Sequence, residues 1–580
     1  MKLIQREARG SIADNDNSLL NRVFAKRGIN DVVELGCELK QLHSISQLKG
    51  IENAVDIIVD AFHAQNNILI VGDFDADGAT STVVALKAFE LMGFAGKVDY
   101  LVPNRFEYGY GLTPEIVKVA AQYSPDIIIT VDNGISSVAG VLQAKSQGYK
   151  VVVTDHHLPS KNLPDADAII NPNQVGDNFP SKNLAGVGVI FYLMLAVKAA
   201  LQKQNYFENN QITLPNLTEL LDLVALGTVA DVVPLDQNNR ILVEQGLRRM
   251  RSGKACAGIQ ALFRIAKRNI NTAVSTDLGF TCGPRLNAAG RLDDMSLGIE
   301  CLLSKDLNAA MEMASALDDL NIERRAIEEE MKVDALKLME ELDDEALQGD
   351  LPEVICLYKD NWHQGVIGIL AARVREKYHR PTIIFAPAHD DEDSIGNGNR
   401  EIKGSARSIP TIHIRDVFDN VASQNENLLE KFGGHAMAAG LSLNLNQLET
   451  FKSAICKVVR QHANAETFQE LYYSDGELLV DDFDLHQAEA LRYAAPWGQH
   501  FPAPVFDNQF VIVNKRLLKE KHYKLILKPL DQSRSINAIA FNVEVEQWPE
   551  EGELVHLLYR LEVNEFRDTR SLQLMVEKLL

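Results

Sequence analysis

The sequence predicts an α/β protein: a parallel-sheet domain, one long helix, a second, smaller α/β unit and a C-terminal β-barrel. Three observations carry this. Between residues 67 and 170, short apolar runs alternate with helix-forming stretches. Residues 305–347 contain neither Gly nor Pro. After residue 465 the chain changes to alternating strand-like runs.

Taken in order, residues 1–50 are polar, mixed and partly helical. Apolar runs at 67–72, 97–102, 126–131 and 150–153 read as strands with both faces covered. Helical stretches at 79–93, 114–123 and 135–147 separate them, an alternation that implies a parallel sheet with right-handed crossovers. Helices continue over 184–201 and 217–230. In 305–347, Met311, Ala314, Leu317, Leu320, Ile327, Met331, Leu336 and Leu338 roughly follow helical spacing. Such a helix either connects two lobes across a cleft or packs wholly within one domain, and spacing leaves both open. A second α/β unit follows at 351–460, where "EVICLY" and "TIIFA" flank a helix ahead of the acidic loop "PAHDDEDSIGNGN". The runs "FVIVNKRLL", "YKLILKPL", "INAIAFNV" and "LVHLLYRLEV" suggest a five-stranded barrel. The expected division is 1–50, 51–304, 305–347, 351–460 and 465–580.

A chain of 580 residues exceeds one hydrophobic core, and its 46% hydrophobic and 24% charged composition is ordinary for a globular protein. Its six cysteines (Cys37, Cys256, Cys282, Cys301, Cys356 and Cys456) form no C-x-x-C pair, which argues against a disulfide framework or zinc site and fits a cytoplasmic protein. The opening "MKLIQREARG" does not resemble a secretory signal, and "VGVIFYLMLAV" at 187–197 is too short to cross a bilayer, so no membrane is expected. A net charge of −22 by itself disfavours nucleic acid. Metal-binding carboxylates contribute to that total, however, and local charge is uneven.

The chemistry is concentrated after the apolar runs. "ILIVGDFDADGATS" carries Asp73, Asp75 and Asp77, "DIIITVDNG" carries Asp132, "KVVVTDHH" carries Asp155, His156 and His157, and "ALGTVADVVPL" carries Asp231. Ligands of open α/β sheets bind beyond the carboxyl ends of the strands, so these groups are expected on one rim, each at a strand end. Carboxylates so close together repel one another and are tolerable with cations between them. A calcium EF-hand is excluded because its closing Glu position is Val84. Asp and His ligands select Mn²⁺ or Mg²⁺. Their number suits two ions about 3.5–4 Å apart that clamp a phosphate and activate a water, which points to phosphoester hydrolysis.

"GDFDADGATS", "VDNG" and "TDHH" resemble motifs of the DHH phosphoesterase family. "GTVADVVPL", "CGPRLNAAGR", "WHQGVIGILAAR", "GSARS" and "GGHAMAAG" extend the resemblance, from about residue 50 onward, to its RecJ branch of single-strand-specific 5′-to-3′ DNA exonucleases. The resemblance implies a two-metal nuclease of DNA repair and recombination that releases 5′-mononucleotides. It implies that Asp73, Asp75, Asp77, Asp132, His156 and Asp231 bind the metals, with Asp132 as the bridge. It also implies that His157 lies near the scissile phosphate and that Asp155 orients an imidazole. A phosphodiesterase of short oligoribonucleotides or cyclic dinucleotides is the alternative, disfavoured by the extra barrel.

The candidate substrate contacts form three groups. Gly433, Gly434 and His435 lie in the glycine-rich signature, and Lys403, Ser405, Arg407 and Ser408 in "KGSARS" suit an anionic chain end. Arg105 and Arg285 are expected on loops, against the alternative of surface salt bridges. Lys515, Arg516, Lys519, Lys521, Lys524 and Lys528, with His522 and Tyr523 interleaved, suit a single strand whose bases stack; the alternative is a solvated hairpin face. "PWGQHFPAPVF" resembles the entry to the family's OB-fold. The expected partners are single-stranded DNA, a helicase and a single-strand-binding protein, with the chain a monomer.

Overall fold

The computed structural model describes residues 2–12, 17–104, 111–160, 162–345, 351–388, 400–425, 427–434, 436–464, 466–530, 534–566 and 569–580. The chain divides into two compact units, one of residues 3–318 with 473–580 and the other of residues 1–2 with 319–472. The candidate residues Arg105 and His435, and most of the acidic loop, lie outside the described residues.

The first unit is built on a parallel sheet of β1 (Ile68–Val71), β2 (Val98–Leu101), β3 (Ile127–Val131), β4 (Lys150–Thr154) and β5 (Ala168–Ile170), in the order β2-β1-β3-β4-β5. Every residue of β1 and β3 is buried, which is why both read as unbroken apolar runs. This order reverses direction between β1 and β3, and such a switch point opens a crevice at the strand ends. The first four strands lie where the apolar runs placed them. The three-residue β5 is too short to show a period and was not expected.

Helix α1 (Ala76–Leu91) follows β1, and α2 (Gly186–Lys203) and α3 (Leu221–Ala230) pack against it. Among the described residues, α2 is apolar and long enough to span a membrane by composition, yet most of it is buried in the fold. Asp231 corrects one expectation. It caps the C-terminus of α3, the helix expected over 217–230, and does not follow a strand.

The barrel belongs to this same unit although a whole α/β domain intervenes in sequence. β11 (Phe506–Leu518), β12 (His522–Pro529), β13 (Ile536–Phe541), β14 (Leu554–Phe566) and β15 (Thr569–Leu579) close in the order β11-β12-β13-β15-β14. The attachment uses the N-terminal segment and the "PWGQHF" loop. Buried Asp475 accepts from both terminal nitrogens of the Arg27 guanidinium at 3.0 Å and from Arg6 Nη1 at 3.3 Å. Phe24, Trp497 and Phe501 stack beside it, and Arg240 caps the Phe501 ring at 4.3 Å. Leu235 N donates to Gln499 O at 2.8 Å and Ser275 Oγ to Trp497 O at 2.6 Å, tying the loop to the parallel-sheet domain.

The second unit holds a mixed sheet of β6 (Ile355–Tyr358), β7 (Thr382–Pro387), β8 (Glu401–Arg407), β9 (Lys431–Gly434) and β10 (Ala438–Asn444), in the order β9-β10-β8-β7-β6. Only β6 and β7 run parallel. The "KGSARS" and "GGHAMAAG" motifs fall mainly on β8, β9 and β10. Helix α5 (Leu307–Glu345) is continuous, and its Met331, Ala335 and Met339 bury against Ile355, Leu357 and Leu370 of this unit.

Candidate metal centre

The crevice at the ends of β1 and β3 gathers the carboxylates. Asp73 follows β1, and Asp75 caps α1, its Oδ1 accepting from Asp77 N at 2.9 Å and Gly78 N at 3.0 Å. Asp77 enters α1 and turns inward, where its carboxylate accepts the first backbone N–H groups of α2, from Gly186 at 2.6 Å and Val187 at 3.0 Å. Helix N-termini carry positive partial charge, so this cap holds the carboxylate where it crowds its neighbours.

Asp132 leaves β3 at φ 62°, a left-handed conformation that turns its side chain into the crevice. The turn is braced from within, as Asn133 Nδ2 donates to Val71 O at 3.0 Å and Thr130 Oγ1 to Asn133 O at 2.7 Å. Gly186 allows the approach, since a Cβ there would lie 2.5 Å from Asp132 Oδ1.

Three overlapping groups result, each with ligand atoms within 4.8 Å of one another: Asp73, Asp75 and Asp132; Asp77, His156 and Asp231; Asp132, His156 and His157. His156 Nε2 is central, 3.2 Å from Asp132 Oδ1 and 3.5 Å from Asp231 Oδ2. That nitrogen is buried and makes no hydrogen bond among the described residues. An imidazole nitrogen facing carboxylates from several elements is the donor set that a hard-to-borderline divalent cation requires.

The electrostatics agree. Burial first, and repulsion by neighbouring carboxylates second, raise Asp77 to about 7 and Asp231 to about 8 and push Asp132 well above its ordinary value. Burial lowers His156, aided by His157. Asp155 behaves oppositely. Burial would raise it, but the His157 hydrogen bond and charge hold it at about 2, and the same pairing overcomes desolvation to lift His157 to about 9. Asp155 is therefore a buried anchor for an imidazolium.

Several supports escaped the sequence reading. Asn171 Nδ2 donates to His157 O at 2.9 Å and Asn173 Nδ2 to His156 O at 2.6 Å, fixing the His-His turn. The "GPRLNAAGR" motif forms helix α4 (Gly283–Leu292), which clamps the aspartate loop. Asn287 Oδ1 accepts from Ala76 N at 2.7 Å, and a Cβ on Gly290 would lie 1.7 Å from Phe74 O. Arg285 of that helix pairs with Asp318 at 2.8 Å and donates to Thr281 O, which is the salt-bridge alternative.

In the second unit, Ser405 and Arg407 sit on β8 beside Gly368, near the start of α6 (Ile367–Tyr378), where a Cβ would meet both side chains at 2.9 Å. Arg407 donates to Ser405 Oγ and to Ala406 O, with no carboxylate partner among the described residues, and burial followed by repulsion from Arg375 lowers its pKa. Lys403 reaches Gln364 Oε1 at 3.3 Å and Ser408 donates to Ile412 O at 2.6 Å. Gly434 takes φ 135° at the hairpin end of β9, while a Cβ on Gly433 would meet open space.

The barrel's cations divide by strand alternation. Arg516 and Lys524 lie directly opposite one another and exposed, as does Lys528 further along, and Lys519 and Lys521 occupy the hairpin tip. Lys515 and Tyr523 correct the sequence reading. A bulge between Ile512 and Asn514 turns Lys515 away from that face, where it pairs with Glu550 at 2.9 Å. Tyr523 is buried against Trp548, so no base can stack on it. The aromatic on the outer face of β12 and β13 is Phe541, opposite His522 and half exposed.

Residues 67–228 match the DHH family N-terminal domain, 352–461 the DHHA1 domain and 474–578 the RecJ OB domain. The chain is 49% identical, over 99% of its length and 97% of the relative's, to the single-stranded-DNA-specific exonuclease RecJ of Dickeya dadantii. To that of Escherichia coli it is 48% identical, over 97% of this chain and 95% of the other. The crystal structure of RecJ from Thermus thermophilus in complex with Mn²⁺ superposes with a TM-score of 0.76 at 25% identity, covering 97% of this chain and 76% of that one. The chain belongs to the RecJ family of DHH proteins.

Proposed function

We propose that this chain degrades single-stranded DNA from its 5′ end, releasing 5′-mononucleotides with two Mn²⁺ or Mg²⁺ ions. It is a metal-dependent exonuclease of single-stranded DNA, and polarity, product and residue roles are the proposal. The observation that carries the reading is the convergence of Asp73, Asp75, Asp77, Asp132, His156 and Asp231 around a buried imidazole nitrogen that no hydrogen bond among the described residues uses. Those six residues would hold the ions, and Asp132, common to two of the three groups, would serve both. When bound, the ions supply positive charge to the scissile phosphate and an activated water.

This chain's own groups do the rest. His157, kept protonated by Asp155, offers its other ring nitrogen as a cationic donor for the phosphoryl oxygens, where charge builds in the transition state. Arg407, buried without a carboxylate partner among the described residues and flanked by Ser405, is suited to a terminal phosphate, for which a guanidinium is the bidentate donor. The exposed row of Arg516, Lys524 and Lys528, with Phe541 beside it, tracks the chain on the barrel. We also take the protein as a cytoplasmic monomer that works on strands opened by a helicase and held by a single-strand-binding protein.

The test is digestion of 5′- and 3′-labelled single strands and duplexes with Mn²⁺, Mg²⁺ or a chelator. Mononucleotides from the 5′ end of single strands only, and none under chelation, are expected. Release from the 3′ end, or equal attack on duplex, would overturn the polarity or the strand preference.

A further inference from the structure

Phe280 is 74% exposed, against 48% for Phe541, the next most exposed phenylalanine among the described residues. It occupies a π-helical turn, Leu278–Cys282, in which Leu278, Thr281 and Cys282 are buried. The wider turn holds one residue more than an α-helix does, and that residue is pushed outward. π-Turns concentrate at functional sites because they are less stable than the helix they interrupt.

Its surroundings give the exposure a meaning. Toward the metal centre, the turn rests on α3, which ends on Asp231. A Cβ on Gly279 would lie 3.4 Å from Val229 Cγ1, and one on Gly283 would lie 3.3 Å from Ala230 Cβ. The turn continues directly into α4, whose Asn287 and Gly290 clamp the Asp73–Asp77 loop. Toward the barrel, Ser275 Oγ donates to Trp497 O in the loop ahead of β11, and Arg492 reaches Thr272 O. Phe280 therefore projects from the segment that joins the metal-bearing elements to the OB barrel.

We propose that Phe280 is a base-stacking residue for the single strand as it passes from the barrel to the metal centre. An exposed ring on a braced segment offers a π-face to any base, so the contact is independent of sequence. It holds the nucleotide behind the scissile one and limits sliding of the strand between turnovers. This inference rests on the single-strand exonuclease reading.

The experiment measures kcat and KM for mononucleotide release from a 5′-labelled strand with Mn²⁺, using the full chain, Phe280→Ala and Phe280→Trp. A parallel set of strands carries one abasic position, moved stepwise from the 5′ end. Phe280→Ala should raise KM about tenfold, which is about 1.4 kcal/mol, with kcat within about twofold and the melting temperature unchanged; Phe280→Trp should restore KM. In the unaltered chain one abasic position should raise KM by a similar factor, and Phe280→Ala should be insensitive there. An unchanged KM, an abasic penalty equal in both proteins, or a lowered melting temperature would overturn the proposal. An unaltered chain that releases no nucleotide would instead overturn the exonuclease reading.

Discussion

His157 Nδ1 lies 2.7 Å from Asp155 Oδ1, and that one carboxylate oxygen also accepts the backbone N–H groups of His156 and His157. The second oxygen accepts Ile135 N at 2.9 Å, across the turn that follows β3. A single buried aspartate thus fixes both histidines and links the ends of β3 and β4.

Asp155→Asn keeps the size and removes the charge. The His157 pKa should fall from about 9 to near or below its ordinary 6.5. Turnover should drop about 10- to 100-fold, the usual loss when a residue that orients a site group is changed. A pH–rate profile and an NMR titration of the imidazole in metal-free protein check this. Unaltered rate and titration would remove Asp155 from the site.

The crowded carboxylates make the metal-free protein pH-sensitive. Asp77 and Asp231 are raised to about 7 and about 8, so between their ordinary carboxylate range and about pH 8 the folded chain binds more protons than the unfolded one. Stability should therefore fall as pH rises through 7 and 8. The His157–Asp155 pair acts in the same direction at this end, its contribution complete below about pH 6.5 and lost through about pH 9. Mn²⁺ at a hundredfold excess over its dissociation constant should add about 2.7 kcal/mol. Melting temperatures from about pH 6 to 9, with chelator and with Mn²⁺, test this. A chelated protein whose melting temperature rises over that range would contradict it.

On the barrel, Arg516 and Lys524 face one another across β11 and β12, an unfavourable like-charge pair unless an anion lies over it. Replacing both by Ala should weaken binding of long single strands and reduce the log–log salt slope by about 1.4, at about 0.7 per phosphate contact. Lys515→Ala should leave that slope unchanged, since Lys515 is held by Glu550. Fluorescence anisotropy at several salt concentrations separates the two. Equal slopes for all three proteins would make the row a solvated face.

Asp475 carries the attachment of the N-terminal segment. Its side chain is fully buried and that of Arg27 is 2% exposed, so Asp475→Ala leaves a guanidinium uncompensated inside the protein. The expected loss is about 3–5 kcal/mol. Denaturant titration followed by intrinsic fluorescence measures it, and an unmoved midpoint would show that the aromatic cluster alone holds the segment.

Local pattern alone carries the parallel sheet, the long helix and the barrel, and it marks the carboxylates and histidines that meet in the crevice. Each is written in a local pattern: apolar runs of strand length, a stretch free of helix breakers, period-two alternation, and carboxylates that cannot crowd without a cation. Tertiary structure decided whatever depends on which face a residue presents or on partners far along the chain. The β-bulge turned Lys515 off the cationic row, and Tyr523, read as a stacking group, went into the core because strand phase cannot be known before the barrel closes. Asp231 reaches the crevice from the end of a helix, and only the fold brings that helix end to the rim of the sheet. The Asn171 and Asn173 braces, the Asn287 clamp and the Arg27–Asp475 pair became visible only with the fold in place. Their hydrogen bonds join residues up to 448 positions apart, and no local pattern encodes a contact of that range.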